Sequence, residues 1–143
     1  MSCSTINNFF ILFLLTSNLL QALSCRIVRG YTIHVVNKLP PNSDLSLHCA
    51  SGDDDLGFHT IHVNDDFHWH FCDSWTGTTL FFCHLYWGSK QVAFDVFKSQ
   101  WSDRCFLDCY WEARSDGIYF SGKFPPDKLE KKHDWENNSR IAS

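Results

Sequence analysis

Residues 67–72 read FHWHFC, with Phe67, Trp69 and Phe71 at one parity and His68, His70 and Cys72 at the other. Successive side chains of a strand point to opposite faces of its sheet. The alternation therefore predicts a half-buried strand, aromatic triplet inward and histidines outward. The same rule groups Leu45, Leu47 and Cys49, then Ile61 and Val63, then Val92, Phe94 and Val96, then Cys105, Leu107, Cys109 and Trp111. Outward from residue 67 in both directions, short runs rich in Val, Ile, Phe, Tyr and Trp recur about every 8–12 residues, the rhythm of a sandwich. Strands are predicted over 31–36, 44–49, 58–63, 67–72, 78–84, 91–97, 105–111 and 117–121. Pro40-Pro41-Asn42, Ser51-Gly52-Asp53, Asn64-Asp65-Asp66, residues 74–77, Gly88-Ser89 and Ser115-Asp116-Gly117 separate them with residue types that favour turns. The fold class is all-β: a small antiparallel β-sandwich of about eight strands, stabilised by disulfides. Cysteines on the core faces of separate strands are what a bridge between the two sheets would require.

The remaining segments bound the domain. FFILFLL at 9–15, followed by small residues at Ala22 and Ser24, reads as a secretory signal peptide over 1–24. Thr16, Ser17, Asn18 and Gln21 break the apolar run short of the roughly 20 residues a membrane span needs. The expected mature product is secreted and extracellular, starts near Cys25 and makes no stable membrane insertion. Residues 25–122 form the sandwich domain, and KFPPDKLEKKHDWENNSRIAS at 123–143 reads as a polar C-terminal tail. There Lys128, Lys131 and Lys132 interleave with Asp127 and Glu130, the pattern of a solvated segment. With 143 residues there is room for one domain, taken as a monomer. A net charge of -4 supplies no basic field for phosphate, so nucleic acid is excluded as a partner, and attraction to anionic bilayers is disfavoured.

In an oxidising compartment cysteines pair. Cys3 leaves with the signal, and six remain of the seven. Two bridges are expected among Cys49, Cys83, Cys105 and Cys109, while Cys25 and Cys72 form a third pair or stay free; six cysteines permit 15 pairings, so connectivity is open. Asn137-Asn138-Ser139 satisfies the N-x-S pattern and makes Asn137 a glycosylation candidate.

Eight histidines, at 34, 48, 59, 62, 68, 70, 84 and 133, make the chemical alternative a histidine-rich metal-binding or hydrolytic protein. His68 and His70 share a strand face, and His59 and His62 are close in sequence. Neither G-x-S-x-G nor HExxH is present, so the histidines are read as polar surface residues, with no catalytic residue, metal ligand or cofactor assigned.

Several strings coincide with one family: His48-Cys49 followed by Asp53-Asp54-Asp55-Leu56-Gly57, then Trp69-His70-Phe71, Thr78-Thr79-Leu80-Phe81-Phe82-Cys83, Cys105-x-x-x-Cys109 and Asp116-Gly117. In these, over nearly the whole mature chain, the sequence resembles the plant self-incompatibility S-protein homologues. It departs from that pattern at Cys72, where a polar residue is commoner, and at Phe82, where tryptophan is frequent. The resemblance implies a secreted, disulfide-linked β-sandwich acting as an extracellular signal; in poppy, such proteins are stigma-secreted determinants that a pollen membrane protein recognises in rejecting self pollen. On that reading the partner is a cell-surface receptor and the chain is not an enzyme. Contacts are expected on loops held by the scaffold, at 52–57, 64–66, 74–77 and 88–90. The contact candidates are Asp53, Asp54, Asp55, Asp65, Asp66, Trp75, Trp87 and Lys90. The acidic run is either a docking point for a basic receptor patch or a hydrogen-bonded turn.

Overall fold

The computed structural model describes residues 8–9, 11–12, 25–101 and 103–138; the expected signal peptide lies almost wholly outside the described residues. Ten strands are described: β1 (Gly30–Asn37), β2 (Leu45–Ser51), β3 (Asp55–Ile61), β4 (Asp66–Cys72), β5 (Leu80–Trp87), β6 (Lys90–Lys98), β7 (Asp108–Arg114), β8 (Gly117–Ser121), β9 (Glu130–His133) and β10 (Glu136–Asn137). They form two five-stranded sheets, ordered β4-β1-β7-β8-β9 and β10-β6-β5-β2-β3. The all-β architecture is the one the alternation indicates, and the three disulfides are in keeping with the cysteine content. One pairing departs in sense: β1 and β7 run parallel, Ile33 opposite Cys109 and Val35 opposite Trp111.

Parity explains the layers. Tyr31, Ile33 and Val35 of β1, Leu45, Leu47 and Cys49 of β2, and Val92, Phe94 and Val96 of β6 are buried between the sheets. Full burial of each large aliphatic contributes about 1.5–3 kcal/mol. Phe67, Trp69 and Phe71 pack against this core from β4 while His68 and His70 face out. At its centre Trp111 meets Phe94 and Phe120 at ring separations of 4.8 and 4.7 Å. Its indole N–H donates to the Val96 carbonyl at 3.0 Å, tying one sheet to the other.

Four expectations change. The bridge at Cys49 is not between sheets: Cys49 and Cys83 face each other across neighbouring strands of one sheet, Cα atoms 4.1 Å apart. Cys105 bonds Cys109, and Cys25 bonds Cys72. Second, β7 starts at Asp108, because the Cys105–Cys109 bond closes a tight loop ahead of it; Leu107, expected inward, is 49% exposed. Third, β3 starts at Asp55 rather than 58, its first residue paired with Ala50. Fourth, residues 123–143 are not simply a tail: β9 and β10 add an edge strand to each sheet, which raises the count to ten. Charged side chains are usual on edge strands, where they deter further pairing, and they hide the apolar alternation. His133 and Trp135 reach inward, His133 stacking on Phe94 at 4.7 Å and Trp135 meeting Trp87 at 5.7 Å.

The connections divide between two ends of the sandwich. From the strand registers, the β2–β3 turn, the β4–β5 loop, the segment 99–107 and the segment 122–129 share one end. The loop 38–44, the β3–β4 turn, the Gly88-Ser89 hairpin turn and the β7–β8 turn share the other. Asn37, fully buried, organises the second end: its amide donates to the carbonyls of Ser43 at 2.9 Å and Ile61 at 3.1 Å, and its side-chain oxygen accepts from the Leu39 N–H at 3.0 Å.

Candidate functional site

The four loops expected to make contacts do not form one surface. Residues 52–57 and 74–77 lie at the first end, while 64–66 and 88–90 lie at the second.

At the first end the β4–β5 loop is pinned by a polar lattice. Asp73 accepts from the Ser99 hydroxyl at 2.6 Å and the Ser74 N–H at 2.8 Å, and the Thr79 N–H donates to Ser99 Oγ at 2.9 Å. The Ser74 hydroxyl in turn accepts from the Thr78 N–H at 2.8 Å. Trp75 sits at the tip, 74% exposed. A large apolar side chain held out to solvent on a braced loop loses little freedom when it meets a partner. The exposed aromatic Phe106 shares that end.

The acidic run is a hydrogen-bonded turn. Asp55 Oδ1 accepts from the Gly57 N–H at 2.9 Å and from His48 Nε2 at 2.7 Å. Those bonds, the Gly57 amide first, hold its carboxyl below the ordinary value. Ser51 and Asp54 close the turn, the Ser51 N–H donating to the Asp54 carbonyl at 2.7 Å. Asp53 and Asp54 remain exposed.

At the second end each candidate makes a local contact. Asp65 accepts from the His62 N–H at 2.9 Å. Trp87 is half-buried against the core, and Lys90 lies 5.1 Å over its ring. Asn137 is exposed in β10, while the Ser139 of its glycosylation pattern lies outside the described residues.

The outer face of the first sheet carries a network the sequence reading did not single out. β1 and β4 place His34 directly opposite His68 and Thr32 opposite His70. His34 is buried, with Nδ1 2.7 Å from Asp66 Oδ2 and Nε2 3.4 Å from Asp108 Oδ1. Phe124 stacks on its ring at 4.2 Å. Next along the face, the Tyr110 hydroxyl donates to Glu112 at 2.9 Å, and Arg114 Nε donates to the same carboxylate at 2.6 Å. Burial, then the Glu112 hydrogen bond, pushes the Tyr110 phenol far up. Parity could have found Tyr110, Glu112 and Arg114, since they alternate with Cys109, Trp111 and Ala113; the meeting of His34 with Asp66 and Asp108 depends on strand order, which parity does not give. Of the histidines grouped by sequence, His70 bonds Thr32 at 3.1 Å, His59 bonds the Leu56 carbonyl at 2.6 Å, and His62 bonds Asp44 at 2.7 Å.

A cleft of about 1090 Å³ opens between β6 and the edge formed by β8 and β9. Phe94, Trp111 and Phe120 line its apolar part, with Arg104, Asp127 and Lys132 among the charged residues around it. None of the receptor-contact candidates named from sequence lines it; of the eight histidines, His133 does, and the segment read as a tail supplies part of its wall.

The family model described as plant self-incompatibility protein S1 matches residues 32–135. S-protein homolog 29 of Arabidopsis thaliana is 33% identical over 103 residues, covering 72% of this chain and 76% of that protein. S-protein homolog 19 of the same plant is 39% identical over 92 residues, 62% of this chain and 67% of the relative. A solved structure of SPH (Self-Incompatibility Protein Homologue) proteins, described as a widespread family of small, highly stable, secreted proteins from plants, superposes with a TM-score of 0.62. It has 20% identity and covers 77% of this chain and 97% of that one, a likeness of fold.

Proposed function

Because this chain belongs to the plant self-incompatibility protein S1 family, we propose that it is a secreted extracellular ligand recognised by a cell-surface receptor, a signal for rejection of self pollen or a related developmental signal. Secretion is supported by the apolar leader at 9–15, by six cysteines paired in three bridges, and by a solved relative described as secreted. Among the described residues no helix is long and apolar enough to cross a membrane.

The observation that carries the receptor reading is Trp75, an exposed indole on a loop braced by Asp73, Ser99 and Thr79. Its work is complementarity rather than bond-making: affinity in such interfaces concentrates in a few aromatic or arginine anchors. Asp53 and Asp54 at the same end add negative charge that suits a basic receptor patch and steers encounter.

The test is binding of the labelled protein, produced through a secretory pathway, to plant cell surfaces. Saturable binding that Trp75→Ala weakens by about 30-fold or more, with unchanged thermal unfolding, supports the reading. Binding that never saturates, or that ignores Trp75, contradicts it.

A further inference from the structure

We propose that the outer face of the first sheet holds a divalent transition-metal site, suited to zinc, with His34, His68 and Asp66 as ligands and Asp108 as the residue that orients His34. The proposal goes beyond the receptor reading and stands on a different face of the molecule.

The argument starts from strand register. His34 and His68 are directly opposed on β1 and β4, their ring centroids 5.4 Å apart, and Asp66 lies on the same face two residues before His68. One ligand atom from each of the three lies within 4.8 Å of the others. Zinc binds imidazole nitrogen at about 2.0–2.1 Å and carboxylate oxygen at about 2.0–2.2 Å. Ligands at those lengths in a tetrahedron lie about 3.4 Å apart. Small side-chain adjustments bring these three to one ion. Two imidazoles and a carboxylate leave the fourth position to water, on the solvent side where His68 stands exposed.

Three features separate this cluster from an ordinary ion pair. His34 presents its second nitrogen to Asp108 at 3.4 Å, and a ligating histidine characteristically directs its other ring nitrogen at a carboxylate, which sets its tautomer and plane. Phe124, stacked on the ring at 4.2 Å, holds that plane from above. Among the described residues Asp66 Oδ1 is buried with no hydrogen-bond partner, its neighbour His68 Nδ1 being 3.7 Å away. A pairing of His34 with Asp66 Oδ2 explains one carboxylate oxygen and leaves the other stranded; a cation between Asp66 and His68 satisfies it. Zinc fits the mixed nitrogen and oxygen set better than calcium or magnesium, which favour all-oxygen shells.

The experiment is a zinc titration of the untagged, chelator-treated full protein by isothermal calorimetry, with bound metal counted by mass spectrometry. One zinc per chain is expected. His68→Ala, a change at an exposed side chain, weakens binding at least tenfold, and Asp108→Asn weakens it by about 10–100-fold. His70→Ala, on the same strand face but outside the cluster, leaves it unchanged. His34→Ala is read only if its circular dichroism matches the parent, since that residue is buried. Zinc binding weaker than ~1 mM, or binding that His68→Ala leaves intact, overturns the assignment. Because Trp75 lies on a loop at the end of the sandwich, loss of cell-surface binding in Trp75→Ala leaves this titration unchanged, so the two readings fail separately.

Discussion

Single residues set conditions on this fold that can be measured. Gly122 passes so close to Arg104 that a Cβ there would collide with the Arg104 carbonyl oxygen. The neighbour is backbone, tied in place by the Phe106 N–H donating to the Gly122 carbonyl at 3.0 Å, so it cannot step aside cheaply. Gly122→Ala is expected to cost about 1–3 kcal/mol, read from the denaturant midpoint. Two histidines should have midpoints displaced in opposite directions. The Asp44 hydrogen bond raises His62 above its ordinary value of 6.5, whereas burial lowers His133 below it. The His62 contribution to stability is present below pH 6.5 and is lost as pH rises through its folded value. For His133 the neutral ring is favoured, so stability present above pH 6.5 is lost as pH falls through its folded value. Proton NMR of the ring C–H resonances should show the His62 midpoint above 6.5 and the His133 midpoint below it.

Among the elements, the covalent ties differ in what they restrain. Cys49 and Cys83 close a separation of 34 residues, Cys105 and Cys109 one of 4. By loop entropy the first bond contributes about 4 kcal/mol and the second about 2 kcal/mol. Denaturant unfolding of the two double-alanine variants should keep that order, each with a further cost for the cavity left in the core. Strand faces were legible because period two is a local property: Leu45, Leu47 and Cys49, or Val92, Phe94 and Val96, announce an inward side with no knowledge of neighbours. Strand order was not, because the parallel contact of β1 with β7 and the cross-strand placing of Cys49 against Cys83 are set by partners far away in sequence. Edge strands escaped for the opposite reason. Glu130, Lys131 and Lys132 carry the charge that protects an edge, so local composition points to solvent while Trp135 donates to the Arg114 carbonyl at 2.7 Å and anchors the segment. The outer-face cluster needed the same missing information. His34 is one polar residue in an apolar strand until β4 and β7 bring Asp66, His68 and Asp108 to it.

For the whole molecule the consequence is polarity between two ends. Turn residues could be named from sequence, yet only strand sense shows that Asp53, Asp54 and Trp75 share one end of the sandwich and that Asp65, Trp87 and Lys90 lie at the other, each in a local contact. A ligand that docks by the first end should show charge steering there. Asp53→Asn combined with Asp54→Asn is expected to slow association and flatten its dependence on salt, with dissociation little changed, in surface plasmon resonance against captured plant membranes. The measurement that tests the central claim most directly is competition for cell-surface binding between the parent protein, Trp75→Ala at the first end and Ser89→Arg on the exposed hairpin turn at the second. The account predicts that Ser89→Arg competes as well as the parent while Trp75→Ala needs about 30-fold more protein; full competition by Trp75→Ala, or loss confined to Ser89→Arg, would contradict it.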